Sequence, residues 1–282
     1  MQRQPGSSFH SAPARIRVGI GGWSFAPWRD NFYPRGLTHA QELSYASRKV
    51  SAIEINATFY RTQSPESFRR WAGEAPDGFV FSVKAHRLTT HRKRLAESGP
   101  SIDHFLSSGV LELGTKLGPL LWQFAPTKKF EPDDFEAFLA ALPREAGGIK
   151  LRHVVEVRHE SFCDKDFVAL ARRQACAICL ADSDKYPMIA DIGADFVYVR
   201  LQRSAAALEA GYPATEIDAW AKRARLWAKG MQPEDLPYLA EPAAALPEGR
   251  DSFIFFVAGA KERNPAAGRA LIGRLEPDKE TA

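Results

Sequence analysis

Eight short apolar runs recur along the chain: IRVGIGG (16–22), VSAIEIN (50–56), FVFSVK (79–84), LGPLLWQF (117–124), HVVEV (153–157), CAICLAD (176–182), FVYVRL (196–201) and FIFFV (253–257). Each spans four to eight residues rich in Val, Ile, Leu or Phe, the pattern of strands buried on both faces. Helix-period segments separate most of them. Thr38 precedes Leu43, Ala46 and Val50, and Ser64-Pro65-Glu66 sets an N-cap and an early proline before Phe68 and Trp71. Pro100 leads to Ile102, Phe105 and Leu106, and Pro132 to Phe135, Phe138 and Leu139. Phe167, Val168 and Ala171 mark a short helix, and Ile217, Trp220, Ala224 and Trp227 a long one. Asn264-Pro265 opens a last helix carrying Leu271 and Ile272, while the connection 183–195 has room for barely one turn.

Strand and helix alternating in this way predict a parallel sheet, because a parallel strand must return through a crossover. Eight such units in about 260 residues predict an α/β fold of the TIM-barrel type, a (β/α)8 barrel, rather than an open sheet. No G-x-G-x-x-G follows the first strand and no P-loop is present. The expected organisation is a flexible N-terminal arm (1–15), a single barrel domain (16–275) and a flexible tail (276–282). Two connections are oversized, 85–116 and 202–252, the latter extending the link between strands seven and eight. Long connections are candidates for lids and binding loops.

Several runs begin apolar and turn polar towards their C-terminal ends. Alternate strand residues share a face, so Glu54 pairs with Asn56, Ser82 with Lys84, Leu121 with Gln123, Glu156 with Arg158, Leu180 with Asp182, and Tyr198 with Arg200. A parallel barrel brings those ends to one rim, where such barrels carry their sites. Charges gathered there must be paired or used. The expected rim set is therefore Glu54, Asn56, Lys84, Gln123, Glu156, Arg158, Asp182 and Arg200, with Tyr60 and Arg61 just after the second strand and His159 starting a loop. Trp23, Phe25, Trp28, Phe32 and Tyr33 crowd a Gly/Pro-broken segment; Trp23 is the candidate wall for a ligand, and the others read as a cap on the core.

At this stage the ordered blocks GIGGWSF, VSAIEINATFYR, FVFSVKAHR, KLGPLLWQFAP and VVEVRHESF resemble the YecE-like family, also known as domain of unknown function 72. The resemblance covers roughly residues 16–201 and implies a TIM barrel without an assigned activity. It maps the family's polar signatures to Glu54, Asn56, Tyr60, Arg61, Lys84, Gln123, Glu156, Arg158 and His159. Such proteins usually continue Arg-Leu of the seventh strand with His-Gly; here Gln202-Arg203 follows Arg200-Leu201.

Composition narrows the chemistry only slightly. The chain has 282 residues, 45% of them hydrophobic, and a formal net charge of +4. That is an ordinary globular balance, too weakly basic to call for nucleic acid, although the loop His86–Arg94 is a basic stretch. No apolar run reaches a membrane-spanning length, and the first fifteen residues lack a signal peptide's apolar centre. With three cysteines besides, a cytoplasmic location is expected. Cys176 and Cys179 form C-x-x-C inside an apolar strand run and are expected as core residues. The expected partner is a small anionic or sugar-like molecule, with no membrane, no nucleic acid, no cofactor and no metal; oligomeric state is left open. Glu54 and Glu156, facing each other, are the candidate catalytic carboxylates of a hydrolase or isomerase. A non-catalytic binding barrel and a metal-dependent phosphoester- or sugar-processing enzyme are the alternatives. Lys84 as a Schiff-base lysine is a further option.

Overall fold

The computed structural model of the chain describes residues 15–276; the expected arm and tail lie outside them but for Arg15 and Glu276. Eight strands form a closed parallel barrel: β1 (Ile16–Gly21), β2 (Ala52–Ile55), β3 (Val80–Lys84), β4 (Leu117–Gln123), β5 (His153–Glu156), β6 (Ala177–Asp182), β7 (Phe196–Leu201) and β8 (Asp251–Phe256). Each strand pairs with its neighbours in sequence, and the β1–β8 register, with Ile16 opposite Ser252 and Ile20 opposite Phe256, closes the ring. Eight helices accompany the strands: α1 (Glu42–Ala46), α2 (Pro65–Glu74), α3 (Arg87–Thr90), α4 (Gly99–Ser107), α5 (Pro132–Ala140), α6 (Lys165–Arg173), α7 (Ala214–Ala228) and α8 (Asn264–Leu275). A two-residue antiparallel hairpin, Glu145–Ala146 with Ile149–Lys150, sits before β5.

The pleat sorts the side chains. Outward residues of the strands pack under the helices in two apolar clusters holding, among others, Ile53, Phe81, Trp122 and Val155, and Val199, Ile254 and Phe256. Inward residues form a third cluster, with Ala52, Leu121, Val154, Phe196, Tyr198, Phe253 and Phe255. The interior is thus apolar at mid-height, while its floor carries the Arg152–Asp251 ion pair (2.7 Å), with the guanidinium over the Phe196 and Phe253 rings. Gly19 makes this filling fit: a Cβ there would stand 2.3 Å from the Ala52 carbonyl oxygen and 2.8 Å from the Phe255 ring. Cys176 and Cys179 are buried free thiols. Burial pushes the Cys176 thiol up to about 12, which leaves it unreactive at neutral pH.

The β6–β7 connection forms no helix. Ile189, Ala190 and Ile192 bury themselves there instead. The buried Asp191 accepts hydrogen bonds from the backbone of Leu239 (2.8 Å) and Ala240 (3.0 Å), stapling 183–195 to the long β7–β8 connection. That connection does not form a lid over the mouth. Its Pro/Ala-rich part follows α7 and leads into the N-terminal end of β8, the opposite end of the barrel from the strand tips. Arg250 holds it by donating to the carbonyls of Gly230 and Ala244. No helix of the described residues is long and apolar enough to cross a membrane.

Candidate functional site at the barrel mouth

Inward positions on five strands end in polar side chains at the C-terminal mouth. Glu54 comes from β2, Lys84 from β3, Gln123 from β4, Glu156 from β5 and Arg200 from β7, all buried. Arg200 lies between the two carboxylates. Its Nε and Nη2 donate to the two oxygens of Glu54 at 3.0 and 2.9 Å, and its Nη1 donates to Glu156 Oε2 at 2.6 Å. Gln123 Nε2 donates to the same Glu156 oxygen at 2.7 Å. Arg158 donates twice to Oε1, from Nε at 3.0 Å and Nη2 at 2.9 Å. Beneath, Tyr198 Oη donates to Glu54 Oε2 at 2.8 Å and lies 2.7 Å from Ser82 Oγ. All four carboxylate oxygens therefore carry donors, as buried charges require.

The electrostatics follow this geometry. Burial alone would raise the Glu156 carboxyl, but Arg200 and Arg158, with the Gln123 bond and Lys84, override it and hold the group at about 2. Burial lowers the Arg200 guanidinium, yet Glu156 and Glu54 outweigh it and raise it further above its ordinary value. Lys84 differs from both arginines. It is 7% exposed, and among the described residues no carboxylate lies within ion-pair distance of its Nζ and no hydrogen bond engages it. Its ammonium sits over the Phe59 ring, 3.8 Å from the centroid. Among the described residues the sealed polar atoms without partners are Glu42 Oε2, Gln202 Nε2, Trp227 Nε1, Arg250 Nε and Ser252 Oγ; Lys84 Nζ, though unbonded, is not one of them and so keeps some contact with solvent. Burial and then Arg200 lower Lys84 to about 8, with Glu54 and Glu156 pulling the other way.

Not every expected rim residue belongs to this group. Asp182 shares the outer face of β6 with Leu180, so it points under the helices and away from the mouth. There it accepts from Arg203 Nε at 2.7 Å and from Tyr212 Oη at 3.4 Å. Trp23 packs edge-on against Trp71, with centroids 5.1 Å apart, and against the outward Phe81 at 6.4 Å, so it lines the helix layer. His159 caps a short 3-10 turn, its Nδ1 accepting from the Ser161 backbone at 3.1 Å. Asn56 is half-buried and donates to the Glu54 carbonyl at 3.3 Å. Tyr60, 67% exposed, and Arg61 line a cleft of about 490 Å³ beside the mouth, with His86, Arg92 and His104. No group of three or more His, Cys, Asp or Glu side chains among the described residues is placed to hold a metal ion.

Other mouth residues carry weaker sequence signals. Tyr198 and Ser82, which alternation already places on the faces of Arg200 and Lys84, sit one layer below the rim set. Tyr186 stacks its ring under the Arg158 guanidinium at 4.3 Å from the irregular β6–β7 connection, where no periodicity points to it. His91 lies against Phe59, with ring centroids 5.5 Å apart. Burial, then Arg87, Lys84 and Arg158, depress its basicity. Threonines tie these loops to the strand tips: Thr58 Oγ1 donates to the Lys84 carbonyl at 2.7 Å and Thr90 Oγ1 to the Gln123 carbonyl at 2.6 Å.

Comparison with known proteins gives a family and a fold. The sequence profile of a protein family of unknown function, DUF72, matches residues 17–282. The chain is 30% identical over 153 residues to the UPF0759 protein YecE of Escherichia coli K12, which covers 53% of this chain and 51% of that protein. It is 28% identical over 116 residues to the UPF0759 protein YunF of Bacillus subtilis, covering 39% and 40%. The matches thus span about half or less of these curated relatives. A DUF72 family protein of Thermotoga maritima superposes with a TM-score of 0.68 at 18% identity, over 92% of this chain and 98% of that one. One from Enterococcus faecalis gives 0.66 at 15% identity, over 95% and 100%.

Proposed function

The chain belongs to the DUF72 family, and on that premise we propose that the mouth of its barrel binds a small anionic ligand. One observation carries this reading: three cations meet two carboxylates, and the surplus cation, Lys84, is buried without an anionic partner. An ammonium largely stripped of water, with only its tip open at the mouth, is stabilised when a negative charge approaches it. A phosphate or carboxylate entering the mouth supplies that charge, and the Arg158 Nη1 face, engaged only by Tyr186 Oη at 3.4 Å, provides a second donor. Glu54 and Glu156 serve in this reading as anchors for Arg200 and Arg158 rather than as an acid/base pair. A carboxyl held at about 2 stays ionised at neutral pH and has no proton to give.

The test is thermal unfolding under inorganic phosphate at constant ionic strength. Phosphate raises the midpoint of the wild type, with about 2.7 kcal/mol of stabilisation at a hundredfold excess over Kd. Lys84→Met removes that shift without weakening the fold, since it replaces an unpaired charge by an apolar chain of similar length. Affinity falls as pH climbs through about 8, where Lys84 loses its proton. An unaltered phosphate shift in Lys84→Met, or an equal shift with neutral sugars, contradicts the reading.

A further inference from the structure

We infer that Lys84 is a nucleophilic amine that condenses with the carbonyl of a small 2-oxo acid, forming an imine at the barrel mouth. The inference rests on the anion-binding reading above and deepens it. Three observations place the chemistry on this residue. Its Nζ lacks a carboxylate to hold it as a fixed ammonium. It lies over the Phe59 face at 3.8 Å, a contact that leaves its nitrogen lone pair unengaged once the proton has gone. It stands at the end of β3 beside Arg158, whose Nη1 is engaged only by Tyr186 Oη at 3.4 Å and is suited to a carboxylate next to the reacting carbon.

Burial and Arg200 support the inference by bringing the amine to about 8. At neutral pH about a tenth of such an amine is free, far more than of an ordinary lysine. Glu54, Glu156, Arg158, Arg200 and His91 are the charged or titratable groups around it, and the two carboxylates are already engaged by the arginines. The step balances without an oxidant or reductant. The Nζ lone pair forms the C–N bond, and the carbonyl oxygen leaves as water with both Nζ protons. The C=N bond of the product withdraws electrons from the adjacent carbon, the activation on which carbon–carbon cleavage and condensation of oxo acids depend.

Pyruvate with borohydride tests this on the whole chain, read by peptide mass mapping. The expected result is one reduced pyruvate on Lys84, formed well before exposed lysines react and faster as pH rises towards 8. Lys261 is the internal control. It is half-buried over Phe25 and Trp28, and burial lowers it too, but it lies outside the mouth. Lys84→Arg keeps the charge but has no amine able to form the imine, and is expected to lose the label. Label on Lys261 or on exposed lysines with Lys84 untouched overturns the imine. If phosphate still stabilises the wild type in that case, the anion site stands alone; if it does not, both readings fall.

Discussion

Arg200 shares one guanidinium between two carboxylates from strands on different sides of the mouth. A planar fork suits this bridging in a way an ammonium does not. Removing it leaves Glu54 and Glu156 buried with one fewer counter-charge, and breaking a buried pair costs about 3–5 kcal/mol. Arg200→Met is therefore expected to lose stability of that order at pH 7 in chemical denaturation. The pH dependence follows from the depressed Glu156 pKa. Its contribution is fully present above the ordinary 4.5 and is lost as pH falls towards about 2. The deficit of the variant accordingly narrows on acidification through that window. A variant as stable as the wild type at pH 7 would mean that the network adds nothing to the fold.

At the scale of elements, the strand tips were legible because two periodicities coincide. Alternation put each of Glu54, Lys84, Gln123, Glu156 and Arg200 on one face of its strand, and in the closed barrel those faces turn inward together. Asp182 falls on the opposite face. Strand alternation fixes only which residues share a face; it does not say which face looks inward, and for β6 the Leu180–Asp182 face is the outer one. Trp23 was not legible for a related reason, since an aromatic after a strand can serve a ligand or the helix layer equally well. The β6–β7 connection could not be drawn from pattern, because it replaces a helix by buried irregular chain stapled through Asp191. Gly19 is a strand position with no room for a side chain, its would-be Cβ standing 2.3 Å from the Ala52 carbonyl oxygen. Gly19→Ala is expected to cost about 1–3 kcal/mol through displaced backbone and Phe255. A loss below a few tenths in equilibrium unfolding would show that β1 and β2 give way easily.

For the whole molecule, apolar side chains fill the middle of the barrel, the Arg152–Asp251 pair closes its floor, and the cation without an anionic partner, Lys84, stands at the mouth. The Pro/Ala-rich part of the β7–β8 connection leads into the N-terminal end of β8, while Tyr186 of the β6–β7 connection joins the loops after β2, β3 and β5 at the mouth. Family membership supplies this architecture, while the chemistry has to come from the site itself. The most direct measurement is diffraction from crystals soaked in selenate, whose anomalous signal locates a tetrahedral dianion without reference to any assumed substrate. A peak is expected at the mouth within hydrogen-bonding reach of Lys84 Nζ and the Arg158 guanidinium, absent from Lys84→Met crystals. Selenate bound only at surface arginines and lysines, with the mouth unchanged, would contradict it.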